Sequence, residues 1–251
     1  MDALHVVLGV VAALSALIWL GLQIKPAPLP TFEQRQPEME TAPLPAGLPA
    51  PVERFFRKLY GERIPLIRSA VISGRGTIRL KGVRLPIRFR FTHLAGQDYR
   101  HYIEVNFFRL PVMKVNEYYV GGKERMEFPW GIQENNPKLD QGGVLGMWAE
   151  VIQWLPAILA TDPRVRWEPV DEVTAFLLVP FGAGQERFLV RFDPVSGGIR
   201  YWEVMRYQNG VGEKILWING VWFDDGRPWA AFNSEETVYN VDVSVTNKGL
   251  P

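Results

Sequence analysis

Few side chains in this sequence could do chemistry, and those few are widely spaced. Its three histidines are His5, His93 and His101, and none has a second ligand-type residue at metal-binding spacing. His5 falls in an apolar run, His93 lies near a turn, and His101 falls on the apolar side of an alternating segment, where a buried core or rim histidine is the usual role. We therefore expect no metal site and no cofactor.

Carboxylates are the remaining candidates for catalysis. Glu150 falls in an otherwise apolar helical pattern, and Asp171 and Glu172 begin a predicted strand, so a buried acid pair could work as general acid and base. The sequence has no G-x-S-x-G, G-x-x-x-x-G-K-[ST] or H-E-x-x-H motif. Because carboxylates on helix surfaces and in turns are far commoner, we predict no catalytic residue and a protein that is not an enzyme.

Composition excludes further classes of protein. Among 251 residues, 28 Lys and Arg oppose 27 Asp and Glu, so no overall field favours nucleic acid as a partner. The absence of cysteine excludes disulfides, thiolate catalysis and cysteine-zinc sites. The hydrophobic fraction of 47% is enough for one sizeable core, and the nine Trp suit a sheet that buries large side chains or presents them to an apolar ligand.

The elements that must position these residues begin with a membrane segment. The 22 residues from Ala3 to Ile24 contain no Asp, Glu, Lys or Arg, and such a helix, about 33 Å long, can cross a hydrocarbon layer. A cleaved signal peptide is the alternative, but Asp2 and the length of the run argue against it. We predict an uncleaved single-pass anchor over residues 1–25, with the globular domain extracytoplasmic, although only Lys25 and Arg35 bear on orientation.

Proline separates the anchor from the domain. Eight prolines fall between residues 26 and 51, a composition typical of extended, semi-rigid spacers. We predict a Pro-rich linker over residues 26–48 and a β-rich globular domain over residues 49–251.

Alternating apolar residues predict strands through most of this domain. Apolar positions are even-numbered from Ile72 to Leu80 and odd-numbered from Val83 to Phe91, so a two-residue turn at Lys81-Gly82 puts both sets on one face. About ten strands follow a short amphipathic helix over residues 52–59 and surround a longer helical pattern over residues 143–160, kinked by Pro156. The predicted fold class is α+β, a large curved antiparallel β-sheet (an open half-barrel) with two helices, preceded by one transmembrane helix.

Segments around the long helical pattern resemble a known family. They are Leu139-Asp140-Gln141-Gly142, Trp154-Leu155-Pro156 and the run from Val165 to Asp171, and the likeness covers most of residues 48–250. They resemble an uncharacterised bacterial family of membrane-associated proteins, a domain of unknown function. The resemblance implies no activity. By analogy of architecture, the fold is expected to be like the open half-barrels of bacterial lipoprotein carriers.

The concave face of the sheet is the first candidate binding surface. With two helices to cover it, part of an aromatic-lined face can stay open to lipid or another apolar ligand. The residues predicted to line this site are Trp148, Trp154, Phe89, Phe91 and Phe107. The alternative is that the sheet closes on itself and every aromatic residue belongs to the core.

A basic sheet face is the second candidate. Between Pro51 and Arg100, 12 Lys or Arg oppose three acids, and the predicted hairpin puts the arginines of both strands on one face. Either acids on neighbouring strands offset this charge, or the face contacts anionic lipid headgroups. The residues predicted for that contact are Arg75, Arg79, Arg84, Arg88 and Arg90.

The function predicted from the sequence is a membrane-anchored, non-enzymatic envelope domain that binds lipid or another apolar molecule. A protein-interaction or scaffold domain at the membrane is the alternative, and a hydrolase of unknown substrate is third. The expected partners are the membrane and an apolar small molecule.

Overall fold

The computed structural model describes residues 3–30, 40–80, 83–208, 210–222, 228–232 and 237–238, and this part of the chain contains four helices and fifteen strands. The helices are α1 Ala3–Gln23, α2 Ala50–Tyr60, α3 Pro137–Trp154 and α4 Ile158–Thr161. The strands are β1 Thr41–Pro43, β2 Arg63–Pro65, β3 Ser69–Leu80, β4 Val83–Leu94, β5 Asp98–Phe107, β6 Leu110–Val120, β7 Lys123–Phe128, β8 Gly131–Gln133, β9 Arg166–Asp171, β10 Thr174–Phe181, β11 Gly184–Phe192, β12 Ile199–Gln208, β13 Val211–Trp222, β14 Pro228–Phe232 and β15 Thr237–Val238.

One antiparallel sheet holds thirteen of these strands, in the order β8-β7-β6-β5-β4-β3-β15-β14-β13-β12-β11-β10-β9, and β1 and β2 form a second, two-stranded sheet. Within the described residues, the edge strands β8 and β9 do not pair with each other, so the large sheet is open. The predicted α+β class and its large open antiparallel sheet are confirmed.

The large sheet curls around α3. This helix contacts β6 and β7 near one edge of the sheet and β10 near the other. Ten strand spacings of about 4.8 Å would separate β7 from β10 by roughly 48 Å in a flat sheet, whereas a helix is about 10 Å across. One helix can touch both strands only because the sheet is strongly curved, and α3 therefore occupies the concave side.

The β3–β4 hairpin has the predicted register. Leu80 pairs with Val83, and the odd-numbered residues Ile87, Phe89 and Phe91 of β4 are buried on the side that faces the core. The turn at residues 81–82 lies outside the described residues.

The short amphipathic helix is confirmed as α2. Gly61 follows it with a φ of 72°, a left-handed conformation that glycine adopts without a Cβ penalty. Phe55 and Phe56 are buried against Phe192 and Trp167, so the apolar face of α2 packs on the sheet.

The long helix begins earlier than its apolar pattern predicted. Asn136 caps α3 by accepting a hydrogen bond from the backbone N–H of Lys138 at 3.0 Å, and Pro137 occupies the first helical turn. The helix ends at Trp154, and Pro156 separates it from α4. Every residue from Leu139 to Trp154 except Gly146 is buried, so the polar residues of the first turns are also inside.

Two parts of the predicted linker lie against the domain. The carbonyls of Pro26, Ala27 and Pro30 accept hydrogen bonds from the arginines of the β3–β4 hairpin. Further along, β1 pairs with β2.

Candidate metal centre

Two histidines and a glutamate meet inside the sheet. His93 lies near the end of β4, His101 lies on β5, and Glu150 lies on α3, and all three are buried. His93 pairs with Tyr99 and His101 pairs with Phe91 across the β4–β5 ladder, so both imidazoles occupy the face that α3 covers. The strand alternation and the curl of the sheet thus bring together residues that are far apart in the chain.

The ligand-type atoms of these residues converge. His101 Nε2 lies 2.9 Å from Glu150 Oε2, and His93 Nε2 lies 2.9 Å from the same oxygen. One potential ligand atom from each residue lies within 4.8 Å of the others. In a tetrahedral site with bonds of about 2.05 Å, ligand atoms stand about 3.3 Å apart. The two histidine–glutamate separations are about 0.4 Å shorter than this, and the two histidine nitrogens lie within 4.8 Å of each other, so small side-chain movements would allow the three atoms to share one ion.

The imidazole of His93 has no hydrogen-bond partner among the described residues. Its Nε2 is close to Glu150 Oε2, but the ring is not oriented to form a hydrogen bond with it, and Nδ1 is also unsatisfied. A fully buried ring that forms no hydrogen bond carries a desolvation cost of about 1–3 kcal/mol for each unsatisfied group. Coordination of an ion would satisfy one of these nitrogens.

A second layer of polar groups holds His101 in place. Glu117 Oε2 lies 3.4 Å from His101 Nδ1, and the Tyr99 hydroxyl donates to Glu117 Oε1 at 2.7 Å. The same hydroxyl lies 3.0 Å from Glu124 Oε2. Histidines that bind metals usually donate their other ring N–H to a carboxylate, which fixes the ring orientation and the tautomer. Glu117 and Tyr99 supply that arrangement for His101.

The electrostatics of the cluster leave a positive charge on His101. Burial lowers the pKa of His101, but the charge of Glu150 and a hydrogen bond with Glu117 outweigh it and raise the pKa to about 10. Burial acts to raise the pKa of Glu117, yet its hydrogen bond with His101 lowers it to about 2. The pKa of Glu150 is also lowered, because His101 outweighs its burial. One imidazolium therefore balances part of the charge of two ionised carboxylates.

Glu124 stays protonated beside this group. Burial and the charge of Glu117 raise its pKa to about 10, so it is a neutral acid that can donate a hydrogen bond. Its backbone N–H donates to Asp140 of α3 at 2.8 Å, and Lys123 Nζ also donates to Asp140, at 2.8 Å. These bonds hold the start of β7 against the first turns of α3.

The other half of the sheet contributes a cation. Arg206 of β12 lies over the ring of Trp217 at 4.2 Å, and burial lowers its pKa despite the charge of Glu117. The polar cluster is therefore enclosed by strands from both halves of the curved sheet.

This arrangement can bind a divalent transition metal. Two imidazole nitrogens and one carboxylate form a set found in zinc sites and, with open positions, in non-haem Fe(II) sites. The charge of a divalent ion would be matched by the two ionised carboxylates, Glu150 as ligand and Glu117 behind His101. His101 would have to lose its proton to bind the ion.

The five residues predicted for an apolar ligand lie mostly in the core. The rings of Phe89 and Phe91 are 4.6 Å apart, Phe91 lies 6.0 Å from Trp154, and Trp148 is fully buried. Phe107 lies apart from them, packed on Gly21 of α1. A groove between β6 and β7 is lined in part by Val112, Asn116 and Phe128, and none of the five lines it.

The predicted basic face has partners within the chain. Arg88 donates to Glu104 and to the carbonyl of Ala27, Arg75 donates to the carbonyl of Pro26, and Arg90 donates to that of Pro30. Arg84 is exposed on β4 and pairs in register with Arg79, whose side chain lies outside the described residues.

The predicted acid pair does not form. Asp171 is exposed and accepts a hydrogen bond from the backbone N–H of Val173 at 2.9 Å in the β9–β10 turn, whereas Glu150 faces the two histidines. Sequence reasoning predicted a core or rim role for the histidines and placed His93 near a turn; both His93 and His101 are buried. It missed their convergence on Glu150 and the contribution of Glu117. The available signal was the odd-numbered parity that His93 and His101 share with buried Phe89 and Phe91.

Comparison with known proteins identifies the family of the chain. A family described as one of unknown function, DUF6544, matches residues 38–223. A search of curated proteins finds no match.

Proposed function

Because the chain belongs to DUF6544, a family of unknown function, we propose its function from the candidate site itself. The protein is a membrane-anchored domain that binds a divalent transition metal ion through His93, His101 and Glu150, and Zn²⁺ is the ion we expect first. The membership agrees with the resemblance to an uncharacterised family, while the bacterial origin and the likeness to lipoprotein carriers stay predictions.

The observation that carries this proposal is the convergence of two histidine Nε2 atoms on one carboxylate oxygen, each at 2.9 Å, in a buried position. An ordinary buried ion pair would need one histidine. The second histidine, His93, lies 2.9 Å from the same oxygen but at a poor angle for a hydrogen bond, and a shared ion would account for its position. Zinc accepts mixed nitrogen and oxygen ligands without a strong geometric demand, which suits this set.

The membrane anchor of the proposal is α1. It is a helix of 21 residues, near the N-terminus, that is long and apolar enough to cross a membrane, and residues 3–20 are exposed in the chain by itself. The proposal also places the globular domain on the extracytoplasmic side of the membrane. The expected binding of lipid or another apolar molecule also stays a prediction.

The test is metal binding by the full chain in detergent. Protein purified without chelator is analysed for bound metal by mass spectrometry, and the stripped protein is titrated with Zn²⁺, Co²⁺, Fe²⁺ and Mn²⁺. We expect one Zn²⁺ per chain, a visible Co²⁺ absorption typical of nitrogen and oxygen ligands, and a rise in melting temperature with Zn²⁺. At a free concentration of 100 times Kd, binding would add about 2.7 kcal/mol to the free energy of unfolding.

The variants Glu150→Gln and His93→Ala should lose this binding, and His5→Ala, which removes a histidine of the membrane helix, should keep it. Circular dichroism of the stripped variants checks that they fold. If none of the four ions binds to the folded wild type, the cluster is an internal ion pair and the proposal is wrong.

A further inference from the structure

The end of α1 packs directly on the β5–β6 turn. Gly21 is buried there, and a Cβ at this position would lie 2.5 Å from the ring of Phe107 and 2.7 Å from the ring of Phe108, so any larger residue would require these rings to move. In addition to these ring contacts, the backbone N–H of Phe108 donates a hydrogen bond to the carbonyl of Gly21 at 3.3 Å. The membrane helix and the sheet are therefore in contact within the last turn of the helix.

Helix length places this contact at the membrane surface. The 21 residues of α1 span about 31 Å, close to the roughly 30 Å of a hydrocarbon core. Gly21 is two residues from the last residue of the helix, about 3 Å along its axis. If α1 crosses the membrane, as the proposed function requires, the β5–β6 turn lies at the level of the lipid headgroups.

The chain after the helix does not lift the domain away. Hydrogen bonds from Arg75, Arg88 and Arg90 hold residues 26–30 along the outer face of the hairpin. Pro26 is buried in this contact. The segment that follows the membrane helix thus keeps the sheet near the bilayer.

The same end of the sheet exposes apolar and basic side chains together. We name it the membrane-facing end and define it by Val83, Arg84, Arg109, Leu110, Val112 and Lys114. The exposed fractions are 67% for Leu110, 61% for Val112 and 48% for Val83. The three basic residues are exposed beside them. Apolar side chains that enter the interface, with cations next to them, match the surface of a bilayer that contains anionic lipid.

We propose that the membrane-facing end rests on the bilayer and contacts anionic lipid headgroups through Arg84, Arg109 and Lys114, with Leu110 and Val112 in the interface. This surface differs from the basic face predicted from sequence, because Arg75, Arg88 and Arg90 bind the chain's own segment after α1. The candidate metal centre lies at the opposite end of the sheet, since His93 is nine residues beyond Arg84 along β4, about 30 Å at 3.3 Å per residue.

The strand β6 offers a matched pair of positions for a test. Val112 and Val120 lie on the same strand, at its two ends, and are exposed by 61% and 54%. The chain has no cysteine, so Val112→Cys and Val120→Cys each give one labelling site. Full-length protein carrying an environment-sensitive fluorophore is reconstituted into vesicles of phosphatidylcholine with phosphatidylglycerol, with a nitroxide quencher on the lipid headgroup.

We expect several-fold stronger quenching and a blue-shifted emission for the label at Val112 relative to the label at Val120. Equal quenching at the two positions would overturn the proposal. A third label at Leu14→Cys reports on α1 separately. A water-exposed Leu14 label would show that the helix is not inserted, which defeats the anchor as well, whereas a lipid-buried Leu14 label with equal quenching at the β6 positions defeats this inference alone.

Charge reversal tests the headgroup contact. In the Val112→Cys background, Arg84→Glu with Arg109→Glu and Lys114→Glu should reduce quenching in vesicles that contain phosphatidylglycerol, and reversal of the exposed Arg200 should not. If charge reversal reduces quenching equally in pure phosphatidylcholine vesicles, or reduces it in neither kind of vesicle, the assignment to anionic lipid is overturned. Circular dichroism of each variant confirms that it folds.

Discussion

His101 is the residue on which the candidate metal centre depends, because its two ring nitrogens face different partners. Nε2 faces Glu150 and Nδ1 faces Glu117, which Tyr99 holds by a hydrogen bond. Glu117 is thus a positioning residue for His101 and not a ligand in its own right. A ligand that is fixed in orientation before the ion arrives loses less entropy on binding.

Glu117→Gln is expected to weaken Zn²⁺ binding by about 10–100-fold, because a ligand histidine loses the carboxylate that orients it. Titration with Zn²⁺ measures the affinity, and thermal unfolding of the stripped protein measures stability. A variant whose affinity is unchanged would show that Glu117 serves only the internal charge balance of the apoprotein.

Arg88 and Glu104 form an ion pair outside the candidate metal centre. Burial acts to raise the pKa of Glu104, but hydrogen bonds from Tyr102 and Arg88 outweigh it, so the pKa is lowered. A carboxylate whose pKa is lower in the folded than in the unfolded state stabilises the protein at pH values above its unfolded-state pKa, about 4.3. This contribution is lost as the pH falls through the folded-state pKa.

Arg88→Met is expected to lower the free energy of unfolding by about 1.5–3 kcal/mol at neutral pH, since the buried carboxylate loses a charged hydrogen-bond donor. The difference from wild type should shrink as the pH is lowered below about 4, where Glu104 becomes protonated in the unfolded chain. Chemical denaturation across pH gives both quantities. Arg84→Met, at an exposed position, should change the free energy by less than about 0.5 kcal/mol at every pH.

Among the secondary-structure elements, α3 is the helix around which the large sheet curls. It is buried on nearly every side, and it carries Glu150 to the histidines and Asp140 to β7. Two of its three glycines, Gly143 and Gly146, differ in environment. A Cβ at Gly143 would lie 2.1 Å from Glu124 Oε2 and 3.1 Å from Tyr119, whereas a Cβ at Gly146 would meet nothing within 4 Å.

Gly146→Ala is expected to raise the free energy of unfolding by about 0.5–1 kcal/mol, because alanine loses less backbone entropy in a helix. Gly143→Ala should instead lower it by about 1–3 kcal/mol, since Glu124 must leave its place beside Tyr99. Denaturant unfolding of the two variants measures the contrast. Equal stabilisation by both would mean that Glu124 moves aside at little cost.

The aromatic residues under α3 allow a test of the expected apolar-ligand function. Trp154 is 6% exposed and packs on Phe91, whereas Trp130 is 65% exposed and stacks on Phe128. We expect Trp154→Ala to lower the free energy of unfolding by about 3–5 kcal/mol, and Trp130→Ala to change it little. Binding of a fluorescent fatty acid is measured on the same proteins. If Trp154→Ala alters this binding more than it alters stability, the result supports the predicted apolar-ligand site.

For the whole molecule, the fold separates the contact with α1 from the candidate metal centre. The sheet meets α1 at one end of β4 and β5, and the two histidines stand toward the other end of these strands. The candidate metal centre is therefore buried in the part of the sheet that lies away from α1.

The full chain is expected to fractionate with membranes and to resist carbonate extraction, and a chain that begins at residue 40, which keeps β1, should be soluble. The label position Val120→Cys also reports the side of the membrane, because a membrane-impermeant maleimide should modify it in intact cells if the domain is extracytoplasmic. Release of the full chain by carbonate would contradict the anchor. Modification only after lysis would place the domain on the cytoplasmic side.

Local pattern was enough to predict several elements of this protein. The apolar run of α1, the amphipathic pattern of α2 and the switch of parity between β3 and β4 each depend on neighbouring residues, because helix and strand periods and two-residue turns are local geometry. The open antiparallel sheet followed from the number of strands and the shortage of helices. The start of α3 was missed because its first turns are polar, and those polar residues are buried only through partners on distant strands.

Tertiary structure alone decided the candidate site and the contact between α1 and the sheet. His93, His101 and Glu150 meet because β4 and β5 pair in one register and because the sheet curls around α3, which are contacts between segments about 50 residues apart that no periodicity encodes. The contact of Gly21 with Phe107 joins residues more than 80 positions apart. Side-chain types specify which local structures form, whereas the convergence of ligands requires the curvature that only the packed sheet and helix impose.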